Sequence, residues 1–247
     1  MNGEASLIRR SRVPVTVGPS QVDAGAAADR FTATQRRHWE RKRRFLDPRA
    51  PGPEAFVRPK LEWVLDQLAV DSTTSILDVG AGNGTFTWYW AERAGHVVGV
   101  DFSRNLLRRS PCRSSMALAD AARLPFRDGQ FDVVAESNFL HHVSDPVVIL
   151  REMARVAREH VVLVEPNRWH PPMTLFMALH RPDWRGLRFD RGHVARLADR
   201  AGLRLVAAQA QGAIYPNQTP ARLVGPLARF DRPSRIGAYV VAVLENP

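Results

Sequence analysis

The chain has 247 residues and a formal net charge of +10, enough for one sizeable α/β domain with additions. No apolar run approaches the ~20 residues of a membrane span. The single Cys112 excludes an internal disulfide framework and a thiolate metal cluster, so a cytoplasmic protein is expected. Charge is uneven: residues 1–44 carry 10 basic and 4 acidic side chains, 45–180 carry 14 and 16, and 181–247 carry 11 and 5. The excess sits at the two ends of a near-neutral middle, which suits nucleic-acid binding and suits better a basic surface with no polymer partner.

Met1 to Arg30 is rich in Gly, Ala, Pro and Ser without periodicity, the composition of a disordered tail. Phe31 to Phe45 contains Q-R-R-H-W-E-R-K-R-R, a short basic helix, and Asp47 to Glu54 (D-P-R-A-P-G-P-E) reads as a linker. Phe56 to Leu68 sets Val57, Leu61, Val64, Leu65 and Leu68 at helical spacing, a helix to lie against a sheet. Next comes S-I-L-D-V-G-A-G-N-G-T-F (Ser75 to Phe86). Ile76, Leu77 and Val79 read as a short buried parallel strand. Gly80, Gly82 and Gly84 make a turn whose backbone can lie flat against a ligand, and Thr85 to Ala94 reads as a helix. A dinucleotide fingerprint would need its third glycine at position 85, so a hydride-transferring dehydrogenase is disfavoured. What stands is D-x-G-x-G-x-G, and this resembles the first motif of the class I S-adenosylmethionine-dependent methyltransferases.

Val97 to Val100 forms a second strand ending at Asp101, 19 positions beyond Gly82. That is where such folds hold a ribose, whose two hydroxyls one carboxylate can accept together; the other reading is a helix N-cap for Arg104 to Arg109. Ser115 to Ala119 is a third strand, followed by A-D-A-A-R-L-P-F. In F-D-V-V-A-E-S-N-F-L-H-H-V-S-D-P, Phe131 to Ala135 is the fourth strand. Asp145 then caps a helix with Pro146 at its first position and apolar residues Ile149, Leu150, Met153 and Val156. His160 to Glu165 is the fifth strand, Asp190 to Ala201 a helix ended by Gly202, and Leu203 to Ala207 and Ala238 to Leu244 the last two strands.

The resemblance covers residues 56–165 by motif and 190–245 by topology. It implies an α/β, Rossmann-like fold: a seven-stranded, mostly parallel sheet with an antiparallel last strand and helices on both faces. It implies a methyltransferase domain over 54–247 with acceptor-pocket inserts at 166–189 and 211–235. Residues 31–53 become a lid helix and linker in which Phe31, His38 and Trp39 close over the site. S-adenosyl-L-methionine is the implied cofactor. Carried onto matching positions, Asp78, Gly80 and Gly82 belong to the first motif, and Asp101 takes the ribose with Phe102 beside the adenine. Asp120 takes the adenine amino group with the Ala121 N–H on a ring nitrogen, and Ser137 meets the methionine half. The family's P-G-G turn before the fifth strand is replaced here by Ala157-Arg158-Glu159.

Methyl transfer from a sulfonium is an in-line displacement that needs positioning above all and requires no metal. A hydroxyl acceptor gains from a general base, worth ~100- to 10,000-fold. His142, then His141, are the candidates; each also reads as a packed histidine. Asn138, Glu165, Asn167, Trp169 and His170 leave the fourth and fifth strands at the same edge. With Tyr215 of the second insert they are expected to line the acceptor pocket, Trp169 as a stacking face. E-S-N-F (Glu136 to Phe139) stands where amino-methylating enzymes carry [DN]-P-P-[YF], so O-methylation of a small molecule is expected, with nitrogen and carbon as the other acceptor atoms. The inserts are apolar enough for a lipid or quinone acceptor. RNA methylation through the arginine-rich ends, or cofactor binding without transfer, are the alternatives.

Overall fold

The computed structural model describes residues 29–42, 45–112 and 115–247; the expected tail over 1–30 lies almost wholly outside them. Seven strands form one sheet: β1 (Ser75–Val79), β2 (His96–Asp101), β3 (Met116–Leu118), β4 (Phe131–Ser137), β5 (Ala157–Pro166), β6 (Arg204–Gln211) and β7 (Tyr239–Glu245). Their order is β3-β2-β1-β4-β5-β7-β6. β7 runs antiparallel to both neighbours and every other pairing is parallel.

The apolar runs are strands buried on both faces, and alternate residues serve opposite cores. Leu77, Val79, Val98, Val100, Val134 and Leu163 pack under α5 (Pro146–Val156) and α7 (Arg191–Ala201). Ile76, Val97, Val133, Val162, Val164 and Val241 face α2 (Pro51–Gln67), α3 (Thr85–Trp90), α6 (Pro171–Leu179) and α8 (Ala221–Ala228). α1 (Asp29–Arg41) and α4 (Arg104–Leu107) lie beside each other: the Arg104 N–H donates to Glu40 Oε1 at 3.1 Å, and Asn105 Nδ2 donates to the Lys42 carbonyl at 2.9 Å.

The reversed β7 brings Pro166 and Gln211, the carboxyl ends of β5 and β6, opposite Tyr239 at its amino end. Both inserts therefore leave the sheet at the edge where the parallel strands end, which is where ligands bind in open α/β sheets. Among the described residues no helix is long and apolar enough to cross a membrane.

Four local expectations are corrected. α2 starts at Pro51, inside the stretch read as linker, because Pro51 and Pro53 sit in a first turn that needs no N–H donors. α3 ends at Trp90, short of the expected Ala94. Ala157-Arg158-Glu159 is no turn: Ala157 caps α5 in an extended conformation (ψ 135°) and pairs at once with Phe131, so no glycine is needed. The capping role considered for Asp101 belongs to Ser103, whose hydroxyl accepts from the Leu106 N–H.

Candidate active site

Strand ends and inserts enclose a cleft of about 460 Å³, within the range of small-molecule sites. On one side lies the glycine turn. Gly80 (φ +69°) is obligatory for packing, because a Cβ there would sit 2.4 Å from Cγ of Phe139. Gly82 (φ +58°) is different: a Cβ would meet only Leu106, at 3.9 Å, so its bareness keeps backbone open to the cleft it lines. The Gly82 N–H donates to Asp101 Oδ2 at 2.9 Å and the Ser103 N–H donates to Oδ1 at 2.7 Å. Burial, against those donors, pushes the Asp101 carboxyl up to about 6. Each oxygen retains acceptor capacity, so this side can take a vicinal diol.

Phe102, Asp120, Ala121, Ser137 and Asn138 line the same cleft. Asp120 also accepts from the Ala122 N–H at 2.9 Å, stabilising its own turn. Asn138 is held at φ +52°, a conformation Asn tolerates better than most, with its N–H donating to the Val164 carbonyl at 2.7 Å. Asp78 borders the cleft, but its buried carboxyl accepts from Thr87 Oγ1 at 2.6 Å and is pushed up to about 7 by burial. Its geometry is that of a brace for α3.

On the other side His141 and His142 sit in a short 3₁₀ turn, Leu140–His142, immediately after β4. Glu165 pins that turn: its Oε1 accepts from the N–H groups of Phe139 (2.9 Å) and Leu140 (2.6 Å). Its Oε2 lies 2.6 Å from His141 Nδ1. Asp183, from the first insert, places Oδ1 3.5 Å from Nε2 of both histidines, and Oδ2 pairs with His180. Burial would lower the His141 pKa, but Glu165 first and Asp183 second raise it to about 9, so this ring is a cation at neutral pH. His142 is pushed the other way, by burial and then by that neighbouring cation, well below its ordinary value. It is neutral. With Nε2 facing Asp183, the free lone pair falls on Nδ1, which has no hydrogen-bond partner.

Three more buried polar atoms on the cleft wall lack partners: Gln35 Oε1, His38 Nε2 and the Tyr215 hydroxyl. Buried polar groups are normally paired, so four on one wall mark where a polar ligand edge belongs. Phe45, Met173, Phe176 and Met177 supply apolar wall around them.

Of the expected lid residues, His38 and Trp39 line the cleft, Trp39 edge-on to His142 at 4.9 Å, while Phe31 lies under Arg185 at 3.9 Å and does not. Four residues expected to line the acceptor pocket do not. Glu165 is fully buried behind His141. Asn167 ties the first insert to the segment that enters β7, its Nδ2 donating to the Gly237 carbonyl at 2.8 Å. His170 Nδ1 donates to the Ile236 carbonyl at 2.9 Å, and Trp169 is 59% exposed on the outside. Tyr215 lines the cleft as expected. Sequence reasoning missed Gln35 and Asp183. Asp183 carried a signal, being the lone acid in the insert 166–189.

A sequence-family model described as a methyltransferase domain matches residues 77–164. A demethylmenaquinone methyltransferase of Beutenbergia cavernae is 40% identical over 47% of this chain and 50% of that protein. The chain thus spans about half the length of the first curated relatives it matches. An uncharacterised methyltransferase of Synechocystis is 31% identical over 58% of this chain and 72% of that one. Among solved structures, an S-adenosylmethionine-dependent methyltransferase of Thermotoga maritima superposes with a TM-score of 0.62 at 16% identity, over 79% of this chain and 91% of that one. That likeness speaks for the fold alone, whereas the Synechocystis match spans most of a whole relative. With the glycine turn, Asp101 and the strand order in agreement, the chain belongs to the class I S-adenosylmethionine-dependent methyltransferase superfamily.

Proposed function

We propose that the chain methylates a small, largely apolar acceptor bearing an ionisable ring hydroxyl. The observation that carries this reading is the neutral His142, with an unpartnered Nδ1 on a cleft wall that also bears Tyr215, His38 and Gln35. When bound, S-adenosylmethionine supplies an electrophilic methyl group whose sulfur leaves with the bond electrons. The hydroxyl proton passes to His142 Nδ1, and the acceptor oxygen, or the ring carbon beside it, supplies the electron pair of the new bond; on the carbon route that carbon then sheds its own proton to water and the oxygen takes back the proton from His142, which restores the aromatic hydroxyl. The Asp101 carboxylate and the Gly82 backbone hold the ribose end, and the Met173 and Met177 wall excludes water from the acceptor. Relatives named demethylmenaquinone methyltransferases support the reduced, hydroxyl-bearing form of a menaquinone-type ring as acceptor; O-methylation and ring methylation of that form both begin with the same deprotonation.

His142→Ala is expected to lower kcat by ~100- to 10,000-fold while S-adenosylhomocysteine affinity stays unchanged. A fully active variant would overturn the base assignment. A second reading rests on one spacing: His141, His142 and Asp183 offer ligand atoms within 4.8 Å of one another. Chelator dialysis separates the two. An unchanged rate agrees with the base; a lost rate restored by added zinc would give these atoms to a cation instead.

A further inference from the structure

The outer surface of the first insert points to a bilayer. α6 reads P-P-M-T-L-F-M-A-L, without a charged residue. Its inner face buries Met173 and Met177 against the cleft and core. Leu175 and Leu179, two positions further along in each case and so on the opposite side of the helix, are 62% and 79% exposed. A helix apolar on both sides is one that has solvent on neither.

The neighbours extend the patch. Trp184 lies against the end of α6, its Nε1 donating to the Ala178 carbonyl at 2.9 Å, and Trp169 precedes the helix. Both indoles are about half exposed or more. Ile236, also exposed and just past the second insert, joins through the His170 hydrogen bond. Arg168 and Arg181 stack over Trp169 and Trp184 at 5.2 and 5.3 Å. Leucines at the centre with indoles and guanidinium groups around them match the depth profile of a lipid headgroup region.

Charge decides the occupant. The two inserts hold eight arginines, seven of them exposed, and two acids. Both acids turn inward: Asp183 to the histidines, and Asp231 to the buried Lys60, 3.7 Å away. The outer surface of the inserts is therefore cationic. A second copy docking by two-fold symmetry would set this rim against itself, whereas an anionic headgroup layer complements it. We propose that α6, Trp169 and Trp184 form a peripheral docking surface for anionic lipid bilayers, with the back of the same helix forming the acceptor cleft. The surface stands independently of the proposed reaction, since binding is read without methyl transfer.

The test is co-sedimentation of the full chain with vesicles of phosphatidylcholine alone or mixed equally with phosphatidylglycerol, at ~0.15 M salt. The wild type is expected to partition at least tenfold more into the mixed vesicles. Leu175→Ser with Leu179→Ser, both solvent-facing changes, should lose that tenfold while S-adenosylhomocysteine affinity and the thermal midpoint stay unchanged. Brominated lipid should quench tryptophan fluorescence in the wild type and less in Trp169→Phe with Trp184→Phe. A chain that stays in the supernatant, or a serine variant that sediments like the wild type, overturns the proposal. So does a dimer in solution that the serine variant dissociates, which would give the face to a second copy.

Discussion

Burial raises Asp101 to about 6, and a ribose diol needs its ionised form as a double acceptor. Protonation occurs below the folded pKa, so affinity for S-adenosylhomocysteine is expected to be flat above pH 7. It should weaken as pH falls through 6, by roughly tenfold per pH unit well below it. Asp101→Ala should cost ~1–3 kcal/mol of affinity at pH 7.5 and remove the pH dependence, as read by calorimetric titration. A pH-independent wild type would detach Asp101 from the ligand. His142 owes its neutrality to burial first and then to the cationic His141 beside it, whose ring centre lies 3.9 Å away. Neighbouring rings of one residue type thus differ in charge, one cationic and one neutral, because only one of them meets Glu165.

In the proposed reading the glycine turn carries both stability and affinity, and two substitutions separate them. Gly80→Ala would drive a Cβ to within 2.4 Å of the Phe139 ring at φ +69°, displacing the turn that carries the histidines. A loss of on the order of 2 kcal/mol or more is expected in denaturant unfolding. Gly82→Ala has room, its nearest neighbour being 3.9 Å off, so it should cost less stability and more cofactor affinity. Equal unfolding midpoints for the two variants would contradict this division. The same turn, with the cap at Asp145, was legible in sequence because each is a local device of fixed spacing, a glycine backbone in one case and a side-chain oxygen with one nearby N–H in the other. The sheet was legible through its apolar runs. The acceptor wall was not. Asp183 reaches histidines some forty positions earlier in the chain, and Glu165 reads as a pocket residue until the structure turns it inward behind His141. Such contacts are fixed by how the inserts fold back over the sheet edge, which no local period encodes.

At the scale of the whole molecule, one charge network joins the halves. His141 rides on the β4 exit, Glu165 on β5 and Asp183 on the first insert, so the insert is fastened to the sheet by a buried proton. The network has a pH signature. The folded pKa of His141, about 9, exceeds its unfolded value of 6.5. Its contribution is therefore fully present below pH 6.5 and is lost as pH rises through 9. That span corresponds to on the order of 3 kcal/mol at most. Thermal midpoints should fall between pH 7 and 9.5 in the wild type. Asp183→Asn removes one of the two carboxylates that hold the proton, so it should start lower at pH 7 and fall less steeply. Parallel curves for the two proteins would mean that the insert is held by its apolar contacts alone, with His141 a bystander to the seam it occupies.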